Sequence, residues 1–137
     1  ANILPYQEAQ DNGFAEVCFI RDGFVTEGAH SNIFFVRGDT VSTHPESNRI
    51  LSGITRKNII SIAAESGIKL VEEAVAADMI PYMDEAFITN TSGEIIPVIR
   101  IGEQTIGNGT PGDITKKLQR LFREKVMAWG TEQGAQG

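Results

Sequence analysis

The stretch Thr26-Glu27-Gly28-Ala29-His30-Ser31-Asn32 sets one acid among small and polar residues, between the strand-like runs Phe24-Val25 and Ile33-Phe34-Phe35-Val36. A carboxylate in such a place has two readings. It is a solvated turn residue, or it is held in a pocket to meet a protonated nitrogen, whose charged form it favours. Two further stretches suit an anion. Ser52-Gly53-Ile54-Thr55 opens a helix-like run, where free backbone N–H groups and the positive end of the helix dipole coincide. Gly53 permits close backbone approach and Thr55 adds a hydroxyl, although a plain cap by Ser52 accounts for the same residues. Thr89-Asn90-Thr91-Ser92-Gly93 gathers hydroxyls and turn N–H groups that either share that anion or simply turn the chain. His30 and His44 stand apart with no Cys/His/Asp cluster around them, so no metal site is expected. Cys18 lies in an apolar run and reads as a small buried hydrophobe.

These residues need elements to position them. Ala1–Gln10 reads as the end of a helix through Ile3, Leu4 and Gln7-Glu8-Ala9, with Pro5 awkward in its interior and Asp11-Asn12-Gly13 as its stop. Glu16–Arg21, Phe24–Glu27, Asn32–Arg37 and Thr40–Thr43 form an antiparallel meander turned at Asp22-Gly23 and Gly38-Asp39. Glu27 ends the second of these strands. A helix then runs to about Ser66 with Ile59, Ile62 and Ala63 as its apolar stripe, and Gly67 ends it. Ile68–Glu73 is a strand, Val75–Tyr82 a short helix ending near Pro81, and Asp84–Thr89 leads into another strand. Ile95–Ile101 is a further strand, and Gly102-Glu103-Gln104 is a loop into Thr105-Ile106. Thr110 as cap, Pro111 at the first helical position and Asp113 near the positive end start the last helix. Its stripe is Ile114, Leu118, Leu121, Phe122, Val126 and Trp129, and the Gly/Gln-rich 131–137 is expected to be a flexible tail. The whole is a mixed α/β (α+β) domain rather than a regular βαβ series.

Composition narrows the function classes. The 137 residues are 41% hydrophobic and 22% charged, as in a single soluble domain with a sizeable core. A net charge of −6, with both signs interspersed, argues against nucleic acid or an anionic membrane as partner. No apolar run is long enough to span a bilayer and no signal peptide is visible. One cysteine means no disulfide framework, so a reducing, cytoplasmic setting is expected.

Four motifs occur in order: Thr26-Glu27-Gly28-x-x-Ser31-Asn32; Ile50-Leu51-x-Gly53-Ile54-Thr55-Arg56; Asp84-Glu85-x-Phe87-Ile88-x-Asn90-Thr91-x-x-Glu94-Ile95-Ile96-Pro97-Val98; and Gly107-x-Gly109-x-Pro111-Gly112-x-Ile114-Thr115. Together they resemble the class IV (fold type IV) pyridoxal-phosphate aminotransferases, the family of D-amino-acid and branched-chain aminotransferases. The resemblance runs from about Gln7 to Phe122. Gln7-Glu8-Ala9 and Thr43-His44-Pro45 lean towards the D-amino-acid branch. The resemblance implies antiparallel-rich sheets forming a barrel-like core with flanking helices, with residues 1–130 as the C-terminal cofactor-binding domain. It implies pyridoxal 5'-phosphate as cofactor, amino-acid and 2-oxo-acid substrates, and a homodimer. It assigns Glu27 to the pyridine nitrogen, Leu51 to the ring face, Gly53, Ile54 and Thr55 to the phosphate, Asn90 and Thr91 to a second phosphate contact, and Ser31 and Asn32 to a polar shell. Asn90 departs from the usual serine or glycine, and Ala29 and His30 replace small residues.

The family's Schiff-base lysine lies just upstream of the segment matching Ala1–Ala9. Lys57, Lys69, Lys116, Lys117 and Lys125 do not match that position and read as surface residues. The expectation is therefore a large domain whose catalytic lysine and small N-terminal domain belong to another part of the enzyme. Within the fold the alternatives are a branched-chain aminotransferase or a 4-amino-4-deoxychorismate-type lyase. Outside it, the alternative is a non-catalytic scaffold.

Overall fold

The computed structural model describes residues 2–8, 14–21, 23–28, 31–45, 54–90 and 94–136. Among these residues, ten strands make one sheet. In chain order they are β1 (Asn2–Glu8), β2 (Phe14–Arg21), β3 (Phe24–Gly28), β4 (Ser31–Arg37), β5 (Thr40–Thr43), β6 (Lys69–Val71), β7 (Val75–Ala76), β8 (Glu85–Asn90), β9 (Ile95–Ile101) and β10 (Gln104–Thr105). The hydrogen-bonded order is β6-β5-β4-β8-β9-β1-β2-β3-β7, with β10 paired to β9. Every pairing is antiparallel except β5 with β6. Helix α1 (Ile54–Glu65) lies between β5 and β6 in sequence, and α2 (Asp113–Gln136) follows β10. The β5–α1–β6 segment is thus a parallel crossover inside an otherwise antiparallel sheet.

Alternation along the central strands builds two cores. Ile33 and Phe35 of β4 join Ala86 and Ile88 of β8, Val98 and Ile101 of β9, and also Ile20, Val25 and Val75. Strands far apart in sheet order share this cluster, and β3 touches β4, so the sheet curls on itself into a barrel-like core. Phe34 and Val36 point the other way. With Val41, Phe87 and Ile95 they pack against Ile59 and Ile62 of α1 and Leu118 and Phe122 of α2. Phe34 and Phe87, paired directly across β4 and β8, stack with ring centroids 4.8 Å apart. The helices therefore flank one face, and the curled strands enclose the other.

Three expectations need correction. Residues 2–8 are a strand, not a helix end. Pro5 fits because β9 pairs with β1 only from Tyr6 onward, so Pro5 has β2 alone as neighbour and a missing N–H is tolerated there. Pro97 in β9 follows the same logic, paired with β8 just before the β1 pairing begins at Val98. The run Val75–Tyr82 is a two-residue strand followed by a 3-10 segment, Ala77–Tyr82, rather than one short helix. Last, α2 starts at Asp113, so Pro111 is not its first residue, and it runs past Gly130 to Gln136. The end of α1 is as expected: Gly67 has φ +73, and the Ile68 N–H reaches the Ala63 carbonyl at 2.9 Å.

Candidate functional site

The register of the strands brings the predicted residues to one end of the sheet. β4 begins at Ser31, which pairs with Asn90, the last residue of β8; Asn32 pairs with Thr89. β3 ends at Glu27-Gly28, three positions before β4 begins, and lies against it. β5 runs antiparallel to β4, so its end at Thr43, opposite Phe34, lies towards the same rim, and Thr43 Oγ1 donates to the Ile33 carbonyl at 2.9 Å. The start of α1 is drawn to this rim as well, because the Arg56 side chain reaches the His44 carbonyl just beyond β5. In a parallel crossover the helix begins beyond the carboxyl ends of its strands, where anions and ligands are commonly held. Backbone elements carrying Glu27, Ser31, Asn32, Ile54, Thr55 and Asn90 thus converge. Leu51, Gly53 and Thr91 lie outside the described residues, as do the side chains of Glu27, Ser31, Ile54 and Asn90.

The described side chains at this rim are polar and partly sealed. Asn32 is buried at 9% exposure, and Thr55 is half-buried. Thr89 Oγ1 is buried with no hydrogen-bond partner among the described residues. Thr115 Oγ1 at the start of α2 is in the same position, so the hydroxyl alone does not distinguish this rim. The first turn of α1 holds no acid; it reads Ile54-Thr55-Arg56-Lys57. A helix end that keeps its positive dipole and adds cations disfavours itself unless an anion comes to it. A phosphorylated ligand fits a helix start whose first turn holds no acid.

The start of α2 is built the opposite way. Glu85 at the head of β8 is buried, and its carboxylate accepts from the Ile114 N–H at 3.2 Å and the Thr115 N–H at 2.8 Å. Asp113 adds a second acid in the first turn. Thr110, expected to cap, instead donates its hydroxyl to Asn108 Oδ1 at 2.5 Å. Gly112 is required here for space, because a Cβ on it would overlap the Glu85 side chain. Gly107, at φ +56, similarly faces the Asp84 carbonyl oxygen. Asp84 in turn accepts from the Gly38 N–H at 2.7 Å and fixes the β4–β5 turn. The third and fourth sequence motifs therefore interlock through Asp84, Glu85, Gly107 and Gly112 to hold the fold.

All five lysines are exposed, on α1, α2 or the start of β6. A cleft of about 430 Å³ lined by Phe24, Arg37, Ser42, Val75 and Met79 opens at the other end of β3 and β4, and no candidate residue lines it. No helix among the described residues is long and apolar enough to cross a membrane. The residues to which sequence reasoning gave no role are Arg56 and Glu85, whereas Thr89 stood in the hydroxyl-rich run from the outset. Only Arg56 left a local signal, a cation where a helix start usually carries an acid.

Residues 1–101 match the family model described as amino-transferase class IV. The D-alanine aminotransferase of Bacillus licheniformis is 40% identical over 127 residues, covering 93% of this chain and 45% of that protein. The branched-chain-amino-acid aminotransferase of Pseudomonas aeruginosa is 38% identical over 126 residues, covering 91% of this chain and 41% of that protein. Among solved structures, the branched-chain aminotransferase of the thermophilic archaeon Thermoproteus uzoniensis with norvaline superposes with a TM-score of 0.77 at 37% identity, covering 85% of this chain and 38% of that one. The chain spans under half the length of these relatives.

Proposed function

Because the chain belongs to the amino-transferase class IV family, we propose that it is the cofactor-holding part of a pyridoxal-phosphate-dependent aminotransferase exchanging an amino group between an amino acid and a 2-oxo acid. The observation that carries this reading is the acid-free, cation-bearing start of α1, gathered at one sheet rim with Asn32, Thr89 and the ends of β3 and β8. When bound, the cofactor supplies an electron-withdrawing ring that stabilises negative charge on the substrate carbon bearing the amino group.

This chain's residues divide the work. Glu27 would accept a hydrogen bond from the ring nitrogen and favour its protonated form. The backbone N–H groups of Gly53, Ile54 and Thr55, with the dipole of α1, would hold the phosphate, and Asn90 and Thr91 would supply a second contact to it. Leu51 would pack against a ring face, and Ser31 and Asn32 would belong to the polar shell near the cofactor. The amine that binds the cofactor covalently is proposed to be a lysine preceding Ala1 in the same enzyme, since all five lysines here face solvent. A homodimer in the cytoplasm fits the family, and the lone Cys18 fits a reducing compartment.

The test uses the complete enzyme. Glu27→Gln should lower the transamination rate by about a hundredfold or more, the loss of roughly 3 kcal/mol of charge stabilisation, and should shift the absorption of the bound cofactor. An unchanged rate and spectrum would remove Glu27 from this role. D-alanine and a branched-chain L-amino acid assayed side by side decide the branch. Gln7-Glu8-Ala9 and Thr43-His44-Pro45 favour the D-amino acid.

A further inference from the structure

Arg56 is only 1% exposed, yet it stands in the first turn of α1, the helix end where a cation is least at home. A guanidinium withdrawn from water needs hydrogen-bond partners. Its Nη2 donates to the His44 carbonyl at 2.8 Å and to Glu72 Oε1 at 2.9 Å. His44 directly follows β5 and Glu72 directly follows β6. Those strands are parallel neighbours, with Ser42 opposite Val71, and α1 connects them. One side chain therefore ties the start of the crossover helix to the carboxyl ends of both strands of its own unit.

We infer that Arg56 is a positioning residue for the phosphate: it sets where the Ile54 and Thr55 N–H groups stand relative to the sheet rim. The inference rests on the reading that the start of α1 holds the phosphate. It deepens that reading by separating the groups that would touch the anion from the group that aims them. Two acceptors at the ends of different strands are met by one nitrogen, Nη2, of a planar and rigid group. Lysine offers a point charge on a flexible stem and would not reproduce it. Glu72 is half-exposed, at 48%, so it offsets the buried charge only in part. A salt bridge serving the fold alone would affect every ligand of the enzyme equally. A positioning residue for the phosphate affects only ligands that carry one.

The experiment titrates the complete enzyme, freed of cofactor, with pyridoxal phosphate and with pyridoxal, and compares the two dissociation constants. In Arg56→Met, binding of pyridoxal phosphate should weaken by about tenfold or more, while pyridoxal changes by less than about twofold. Arg56→Lys should show the same selective loss. Should Arg56→Met not fold, Glu72→Gln removes one of its anchors at a half-exposed position, with a selective loss of about threefold expected. Equal weakening for both ligands, no weakening, or full recovery by Arg56→Lys overturns the inference. If the unmodified enzyme does not prefer pyridoxal phosphate over pyridoxal, the reading of α1 fails, and the inference with it. If the unmodified enzyme prefers it and Arg56→Met prefers it equally, only the role of Arg56 is lost.

Discussion

The starts of α1 and α2 face the same physical problem and answer it differently. Each helix has backbone N–H groups with no partner inside the helix. At α2, Glu85 arrives from β8, takes the Ile114 and Thr115 N–H groups, and is given room by Gly112. At α1 the first turn has no acid, and a buried arginine with an exposed lysine beside it adds positive charge. The start of α2 is closed by the protein's own carboxylate. The first turn of α1 has no acid of its own, and the Glu72 carboxylate beyond β6 is held by the Arg56 side chain. The difference shows that Glu85 and Gly112, in the third and fourth sequence motifs, serve the fold, while the ligand role proposed for the second motif rests on a first turn of α1 without an acid.

If that contrast is right, the two ends should fail in different ways. Glu85→Ala should cost about 2–3 kcal/mol of stability, since two charge-assisted bonds vanish and a buried N–H loses its partner. Urea unfolding of the complete enzyme should record this with little change in affinity for pyridoxal phosphate. Gly112→Ala should cost about 1–3 kcal/mol by forcing its new Cβ against Glu85. Combined with Glu85→Ala it should cost less than the sum, because the residue it clashes with has gone. At the other helix, Lys57→Glu should move stability the opposite way. It should gain about 0.3–1 kcal/mol by complementing the dipole, while binding of pyridoxal phosphate weakens by about threefold or more. A substitution that stabilises the chain and weakens the ligand is expected of a helix end kept unfavourable for function. The smallest effect belongs to the ion pair between the helices, Lys125 to Glu65 at 3.2 Å, with both side chains exposed. Lys125→Ala should change stability by no more than about 0.5 kcal/mol and ligand binding not at all.

What could be read from the sequence followed the range of the interactions. The hairpin of β4 and β5, strand β9 and the end of α1 were legible because alternation, turn residues and Gly67 act within a few positions. Strand β1 was not legible: its helix-compatible Gln7-Glu8 pairs with Phe14, Arg100 and Val98, and most of that information lies about ninety residues away. The cap of α2 was misplaced for the same reason. Thr110 and Pro111 carry every local sign of a helix start, but the effective cap comes from Glu85 on another strand. Glu27, Ser31, Asn32, Ile54, Thr55 and Asn90 could be named from the sequence as motif positions. That β3, β4, β8 and α1 bring them to one rim required the strand register. Arg56 was part of a motif from the outset, but its partners His44 and Glu72 stand 12 and 16 positions away and gave it no visible task.

The contrast between the helix ends is tested most directly by deuterium exchange at single amides of the complete enzyme, with and without pyridoxal phosphate. The Ile54 and Thr55 N–H groups should exchange fast in the cofactor-free enzyme and slow down by about tenfold or more on binding, as exposed donors gain a partner. Those of Ile114 and Thr115, already held by Glu85, should exchange slowly and alike in both states. Protection that does not change at Ile54 and Thr55, or that changes equally at both helix starts, would contradict the account.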